Sequence, residues 1–286
     1  MADTIVRAIT KDNNFRTIAI DGTEMLQQAA SFHQATPMGI NLLGRALLST
    51  LLVSNAILKG DERLAVTIEG NGPAGKIVTE SSATGLVRGY VTNPQVQTAD
   101  IVSAVGTEGF LRVTKEMDGE SQPFTGSVAL ASGRIDDDFT YYMLTSEQIP
   151  SLVMVDVAVD ENKQVHAAGG FIVSALPDAK QEALDRFYQA VENMPEINQT
   201  LQKGQGTFGI LERIFGNDNL KQLSTEEVSL YPDLTKREYA RMLATLNNDQ
   251  LQEMVEDDQG AEIVDRFTGN KIQFNTEELQ NIMDQK

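Results

Sequence analysis

Between Arg63 and Val173 the chain is a succession of short runs rich in β-branched residues: LAVTIEG, GKIVTE, LVRGYV, FLRVTKE, GSVAL and QVHAAGGFIVSAL. Gly, Asn, Pro and Asp separate them, so each reads as a strand bounded by turns. One interruption, DDDFTYYMLTSEQIPS, reads as a helix. The N-terminal runs TIVRAIT and FRTIAI alternate around the polar turn KDNN and add two more strands. Thr23 is placed to cap a helix running to about His33. Pro37 sits near the first turn of a second, very apolar helix. Its core, LLGRALLSTLLVSNAIL, contains Arg45 and Asn55 and falls short of the roughly 20 residues needed to cross a bilayer, so it reads as a buried core helix. The fold class is α+β, with a large, mostly antiparallel sheet and packed helices.

After Pro177 the pattern turns helical. Residues 178–193 place Leu184, Phe187, Tyr188, Val191 and Met194 on one face. Pro195 ends that helix, QKGQGTFG is rich in glycine, and a second short helix carries Phe208, Leu211, Ile214 and Phe215. The division expected is 1–177 as an α+β body, 178–225 as a helical linker, and 226–286 as a small separate domain. That last segment has 14 acidic and 6 basic side chains, net −8. It reads as a strand (VSLY), a helix (LTKREYARMLATL), a capped helix (NNDQLQEMVEDD), a hairpin (AEIVDRFTGNKIQF) and a final helix from Thr276. A unit this small usually needs a staple.

The 286 residues include no cysteine, which excludes disulfides, thiolate metal sites and cysteine nucleophiles. The net charge of −18 leaves no basic footprint for nucleic acid and disfavours anionic membranes. The N-terminus shows no apolar signal core, so a cytoplasmic location is expected. The string GNGPAGK at 70–76 satisfies the phosphate-loop pattern. Ile77, however, stands where a magnesium-binding hydroxyl belongs, Pro73 removes an amide donor, and a strand rather than a helix follows. It is expected to be a hairpin turn. His33 and His166 lie far apart, without the spacing of a zinc site or the partners of a nucleophilic triad. Asp136, Asp137 and Asp138 are expected to be a solvated helix N-terminus favoured by the helix dipole. Nothing here builds an active site, so no enzyme activity and no cofactor are expected.

The strings IEGNGPAG, VRGYVTNP, YYMLTSEQIPS and AAGGFI resemble the bacterial redox-regulated heat-shock chaperone family, also called the 33-kDa chaperonin family. The resemblance runs from the N-terminus to the end. It implies an ATP-independent holdase that binds unfolding proteins and prevents their aggregation. It also implies an α+β body, a helical linker, and a C-terminal switch in which a C-x-C and a C-x-x-C pair bind zinc. In the family, oxidation releases that zinc, unfolds switch and linker, and exposes client-binding surface. Active relatives are commonly dimeric, which raises a homodimer as a partner state.

This sequence departs from the family at the switch. Pro232 and Leu234 stand at the first pair of cysteine positions, and Asp265 and Thr268 at the second. Only Asp265 brings a metal donor, too few for a tetrahedral site. Chaperone activity therefore carries over; zinc, disulfides and peroxide sensing do not. In place of the metal, Tyr231, Leu234, Tyr239, Leu243, Leu246, Met254, Val255, Ile263, Phe267, Ile272 and Phe274 are expected to form an apolar core, with the corner held by packing around Phe267. Such a fold is marginal, opened by heat or acid or constitutively active. The client-binding candidates are Leu184, Phe187, Tyr188, Val191, Phe208, Leu211, Ile214 and Phe215. The alternative is a scaffold or specific-partner protein that has lost general holdase work; a nucleotide hydrolase using Lys76 is a distant third.

Overall fold

In the computed structural model, which describes residues 2–256 and 259–285, the chain opens with antiparallel strands β1 (Thr4–Thr10) and β2 (Phe15–Asp21). Helices α1 (Thr23–Phe32) and α2 (Pro37–Ile57) follow. Next come strands β3 (Arg63–Glu69), β4 (Lys76–Ser82) and β5 (Leu86–Val91), then the short helix α3 (Ile101–Val105). Strands β6 (Phe110–Glu116) and β7 (Phe124–Ala129) lead to α4 (Ile135–Thr145), β8 (Ser151–Val159) and β9 (Val165–Ala175). Three helices, α5 (Gln181–Glu192), α6 (Ile197–Gln202) and α7 (Gly206–Phe215), precede β10 (Leu220–Glu227) and β11 (Ser229–Leu230). One compact unit ends at Leu230 and a second begins at Tyr231. The second contains α8 (Lys236–Leu243), α9 (Asn248–Glu256), β12 (Ala261–Val264), β13 (Lys271–Phe274) and α10 (Thr276–Asp284). Asp257 and Asp258, the expected end of α9, lie outside the described residues.

The fold is α+β, and the strands of the larger unit divide into two sheets. Their orders are β10-β1-β2-β9-β8 and β11-β5-β4-β3-β6-β7, antiparallel throughout except for the β11–β5 pair. The apolar helix α2 explains the division. It is buried almost all round from Gly39 to Ala56 and packs on β4 and β5 of one sheet and on β8 and β9 of the other. A helix apolar on every side needs cover on every side. Its small polar residues bond to the sheet: Thr50 Oγ1 lies 2.7 Å from Thr79 Oγ1, and Ser54 Oγ 2.9 Å from Ser81 Oγ. Asn55 Oδ1 accepts from Arg7 of β1. Arg45 is nearly buried and donates to Val155 O at 2.7 Å, with Asp136 Oδ1 at 3.4 Å.

Helix starts follow different solutions. Thr36 caps α2, its hydroxyl accepting from Gly39 N at 3.1 Å, with Pro37 in the first turn as expected. Thr23 does not cap α1: the cap position falls on Gly22, which has no side chain to offer. Asp3 supplies the acceptors from β1, taking Glu24 N at 3.1 Å and Met25 N at 2.5 Å. The acidic run at the start of α4 is not a solvated cluster either. Asp136 and Asp138 are buried, and burial pushes both carboxyls up. Asp138 accepts from Ala131 N and Ser132 N at 2.7 and 3.0 Å, so its carboxylate closes the preceding turn.

The segment 178–225 lies within the larger unit. Helices α5 to α7 cover the face of the five-stranded sheet opposite α2, where Phe187, Ile197, Ile210, Leu211 and Ile214 meet Phe15, Ala19 and Phe171. The rings of Phe15, Phe187 and Phe215 lie 5.2 to 5.8 Å apart. Beyond α7 the chain joins the sheet as β10, an edge strand beside β1.

The smaller unit packs around Tyr239, Leu243, Leu251, Phe274 and Leu279. Leu234, Leu246, Met254, Val255, Ile263 and Ile272 surround them, as the sequence led us to expect; Leu251 and Leu279 were not anticipated. Capping boxes start α8 at Thr235 and α10 at Asn275.

Candidate functional site

The β12–β13 hairpin pairs Ala261 with Phe274 and Ile263 with Ile272, and its corner spans Asp265 to Asn270. Asp265 organises that corner. Its backbone N–H donates to Asn270 O at 2.9 Å, and its carbonyl accepts from Gly269 N at 2.8 Å. Gly269 has φ +73°, the left-handed turn conformation that glycine adopts without cost. The side chain then holds the loop from inside: Oδ1 accepts from Phe267 N at 2.7 Å and Oδ2 accepts from the Tyr239 hydroxyl. Thr268 Oγ1 accepts from Asn270 N at 3.3 Å. Asn270 Nδ2 reaches the other half of the corner, donating to Asp233 Oδ2 at 3.1 Å, between Pro232 and Leu234.

These donors do not fit zinc. Pro232 and Leu234 offer no side-chain ligand, and both Asp265 oxygens already accept protein hydrogen bonds. Among the described residues no three His, Cys, Asp or Glu side chains are close enough to share a metal ion. The corner is held by a carboxylate that takes the amide and hydroxyl donors around it. This corrects the expectation of packing centred on Phe267: that ring is half-buried at the corner, while the apolar centre is Tyr239, Leu243, Leu251, Phe274 and Leu279.

In the larger unit, α4, α5 and the β8–β9 end of the five-stranded sheet enclose an apolar groove of about 630 Å³. Its floor is Phe15, Leu152 and Val173; Leu184, Phe187 and Tyr188 line it from α5, and Tyr141 and Leu144 from α4. Tyr188 and Leu144 are each 56% exposed and Tyr141 41%, so three large side chains at this groove face solvent in the resting fold. Of the eight client-binding candidates, this groove gathers Leu184, Phe187 and Tyr188. Leu211 and Ile214 are buried on the sheet-facing side of α7, and Val191, Phe208 and Phe215 are half-buried. Tyr141 and Leu144 were not anticipated. Their signal is helical: Phe139, Tyr142 and Met143 fill the inner face of α4, which turns 141 and 144 outward.

The phosphate-loop string forms the β3–β4 hairpin turn. Its amides are spent on α3: Gly72 N donates to Val105 O at 2.8 Å and Ala74 N to Ala104 O at 3.0 Å. A Cβ on Gly72 would sit 2.3 Å from Ala104 O, so its glycine serves close packing. Lys76 pairs with Glu69 at 3.1 Å. His166 lies on the exposed side of β9, 2.9 Å from Asp160.

A family model described as Hsp33 protein matches residues 3–275. The chain is 39% identical to the 33 kDa chaperonin of Levilactobacillus brevis, over 99% of this chain and 98% of that protein. It is 38% identical to that of Limosilactobacillus fermentum, over 99% of each. The crystal structure of the 33 kDa chaperonin (heat shock protein 33 homolog) of Thermotoga maritima is similar, with a TM-score of 0.89 at 31% identity over 99% of this chain and 98% of that one.

Proposed function

Since this chain belongs to the Hsp33 family of stress-response chaperones, we propose that it is an ATP-independent holdase working without zinc and without cysteine oxidation. The observation that carries this reading is the corner at Asp265: a family-wide match extends through the small unit, yet the corner is closed by Tyr239 and backbone amides. A fold closed in this way opens by heat or by acid rather than by an oxidant. On this reading the protein is not an enzyme, works in the cytoplasm, and has unfolding polypeptides as its partners.

The groove between α4 and α5 is the resting contact surface, through Tyr141, Leu144 and Tyr188. The remaining candidates, Phe187, Leu211 and Ile214 above all, become available when α5 to α7 lift from the sheet. Large aromatic and aliphatic side chains suit this work because their attraction to unfolded chains is non-directional and scales with buried area.

The test is light scattering from several unrelated, thermally unfolding clients with the pure protein added and no nucleotide present. The proposal expects suppression of every client. No suppression under heat or acid defeats it, and suppression of one client alone points to a specific-partner protein.

A further inference from the structure

The five-stranded sheet has two edges, closed in different ways. Along β8 several of the outward backbone groups are taken by side chains. Val153 N donates to Thr140 Oγ1 at 2.9 Å, Arg45 donates to Val155 O at 2.7 Å, and Asn41 Nδ2 donates to Val157 O at 3.3 Å. These side chains interrupt the edge, the usual protection against a stray strand. Along β1 the closure is itself a strand: β10 pairs antiparallel from Thr10 with Leu220 to Thr4 with Glu227.

By composition β10 is a weak occupant. Of LKQLSTEE only Leu220 is buried. The register breaks between Arg7 and Ala8, and Leu223, at the break, is 54% exposed. β1, in contrast, is apolar on both faces: Ile5 joins the core around α2 and Ala8 the cluster under α5 to α7. Leu220 is buried with the cluster under α5 to α7, and the polar side-chain hold on β10 gathers at one residue. The Arg7 guanidinium donates to Ser224 Oγ at 3.3 Å and to Glu226, while also bonding Asn55 of α2. The ion pair is partly exposed, 24% at Arg7 and 45% at Glu226, where such pairs contribute little. An edge strand held by main-chain bonds, one buried leucine at its start and one such clasp belongs to the part of a fold that opens most readily.

We propose that the β1 edge is a strand-addition site for clients. β10 is its resident occupant, and an extended segment of an unfolding protein, apolar at alternate positions and neutral or basic, displaces it and pairs with β1. The inference rests on the holdase reading and adds the mode of recognition. Main-chain hydrogen bonds give affinity without reading sequence, and side chains at alternate positions add to it. Apolar client residues at the places of Gln222 and Thr225, opposite Ala8 and Val6, make cross-strand contacts that these polar residues forgo. The chain's net charge of −18 excludes acidic segments as good competitors.

The test uses a fluorescent peptide of roughly ten residues, alternating Val and Thr between terminal lysines, and a twin N-methylated at alternate residues to remove its ladder donors. Binding to the full chain is read by fluorescence anisotropy. The plain peptide is expected to bind the wild type saturably and the methylated twin about tenfold more weakly or worse. Because the chain has no cysteine, Thr4→Cys with Glu227→Cys introduces the sole thiol pair, between cross-strand partners of β1 and β10. Oxidised, this variant is expected to lose the peptide; dithiothreitol restores it. Equal binding of the two peptides, undiminished binding to the oxidised variant, or no binding of the plain peptide each overturns the proposal. Light scattering by the wild type, run in parallel, separates the two claims: suppression of aggregation without strand addition leaves the holdase reading standing.

Discussion

At Asp265 a carboxylate accepts the donors that point into the turn, the Phe267 amide and the Tyr239 hydroxyl. Hydrogen bonds of this kind are worth about 1 kcal/mol each, against on the order of 10 kcal/mol for structural zinc in small zinc-dependent peptides. Two variants follow. Tyr239→Phe removes the hydroxyl and is expected to destabilise the small unit by about 1 kcal/mol. Asp265→Ala removes the acceptor that this side chain gives the Phe267 amide and the Tyr239 hydroxyl and is expected to cost about 1–3 kcal/mol. Hydrogen exchange at the amides of 261–274 measures both, and equal protection in wild type and variants contradicts the assignment. Asp3 makes a pH prediction of opposite sign to ordinary carboxylates. Burial pushes it up to about 6 from 3.8, against the two amides it accepts. A raised carboxyl favours the folded state while protonated, so this contribution is full below pH 3.8 and lost as pH rises through about 6. The span corresponds to about 3 kcal/mol. Urea unfolding at pH 5 and pH 7.5 is expected to show a smaller difference in Asp3→Asn than in the wild type.

Among elements, the sequence was most legible where apolar period and burial coincide. The stripes of α5 and α7 and the alternation in β3 to β6 name their own structures. β10 was illegible for a physical reason. LKQLSTEE has neither period, and it is a strand because β1 offers an unpaired ladder, so tertiary context decides what propensity cannot. The same context hid the role of Tyr239, which reads as an ordinary core residue and carries the hydroxyl that Asp265 needs. Phe187 tests how α5 is held. Phe187→Ala is expected to cost about 3–5 kcal/mol, to loosen α5 from the sheet, and to lower the temperature at which client aggregation is first suppressed. A higher onset temperature counts against release of α5 to α7 as the activating step. Acid acts on β10 through Glu226. Its carboxyl lies below the usual range, chiefly because of the Arg7 hydrogen bond. That contribution is present above the ordinary glutamate pKa of 4.5 and lost as pH falls through the depressed value, so the protection of the β10 amides, relative to the intrinsic exchange rate at each pH, is expected to fall at the acid end, and less steeply in Glu226→Gln.

In the whole molecule, the larger unit is built around the apolar helix α2 between two sheets, while among the described residues of the smaller unit five side chains are buried beside a hydrogen-bonded corner. The α+β class and the core helix were readable from strand runs and one apolar stretch. The split into two sheets was not, because pattern alone does not say which strands neighbour which. On the proposed function this chaperone works without an oxidant. The most direct measurement is client light scattering at one fixed, unfolding temperature, with the protein incubated beforehand with or without hydrogen peroxide. Equal suppression in the two arms is predicted; suppression that appears only after peroxide contradicts the account.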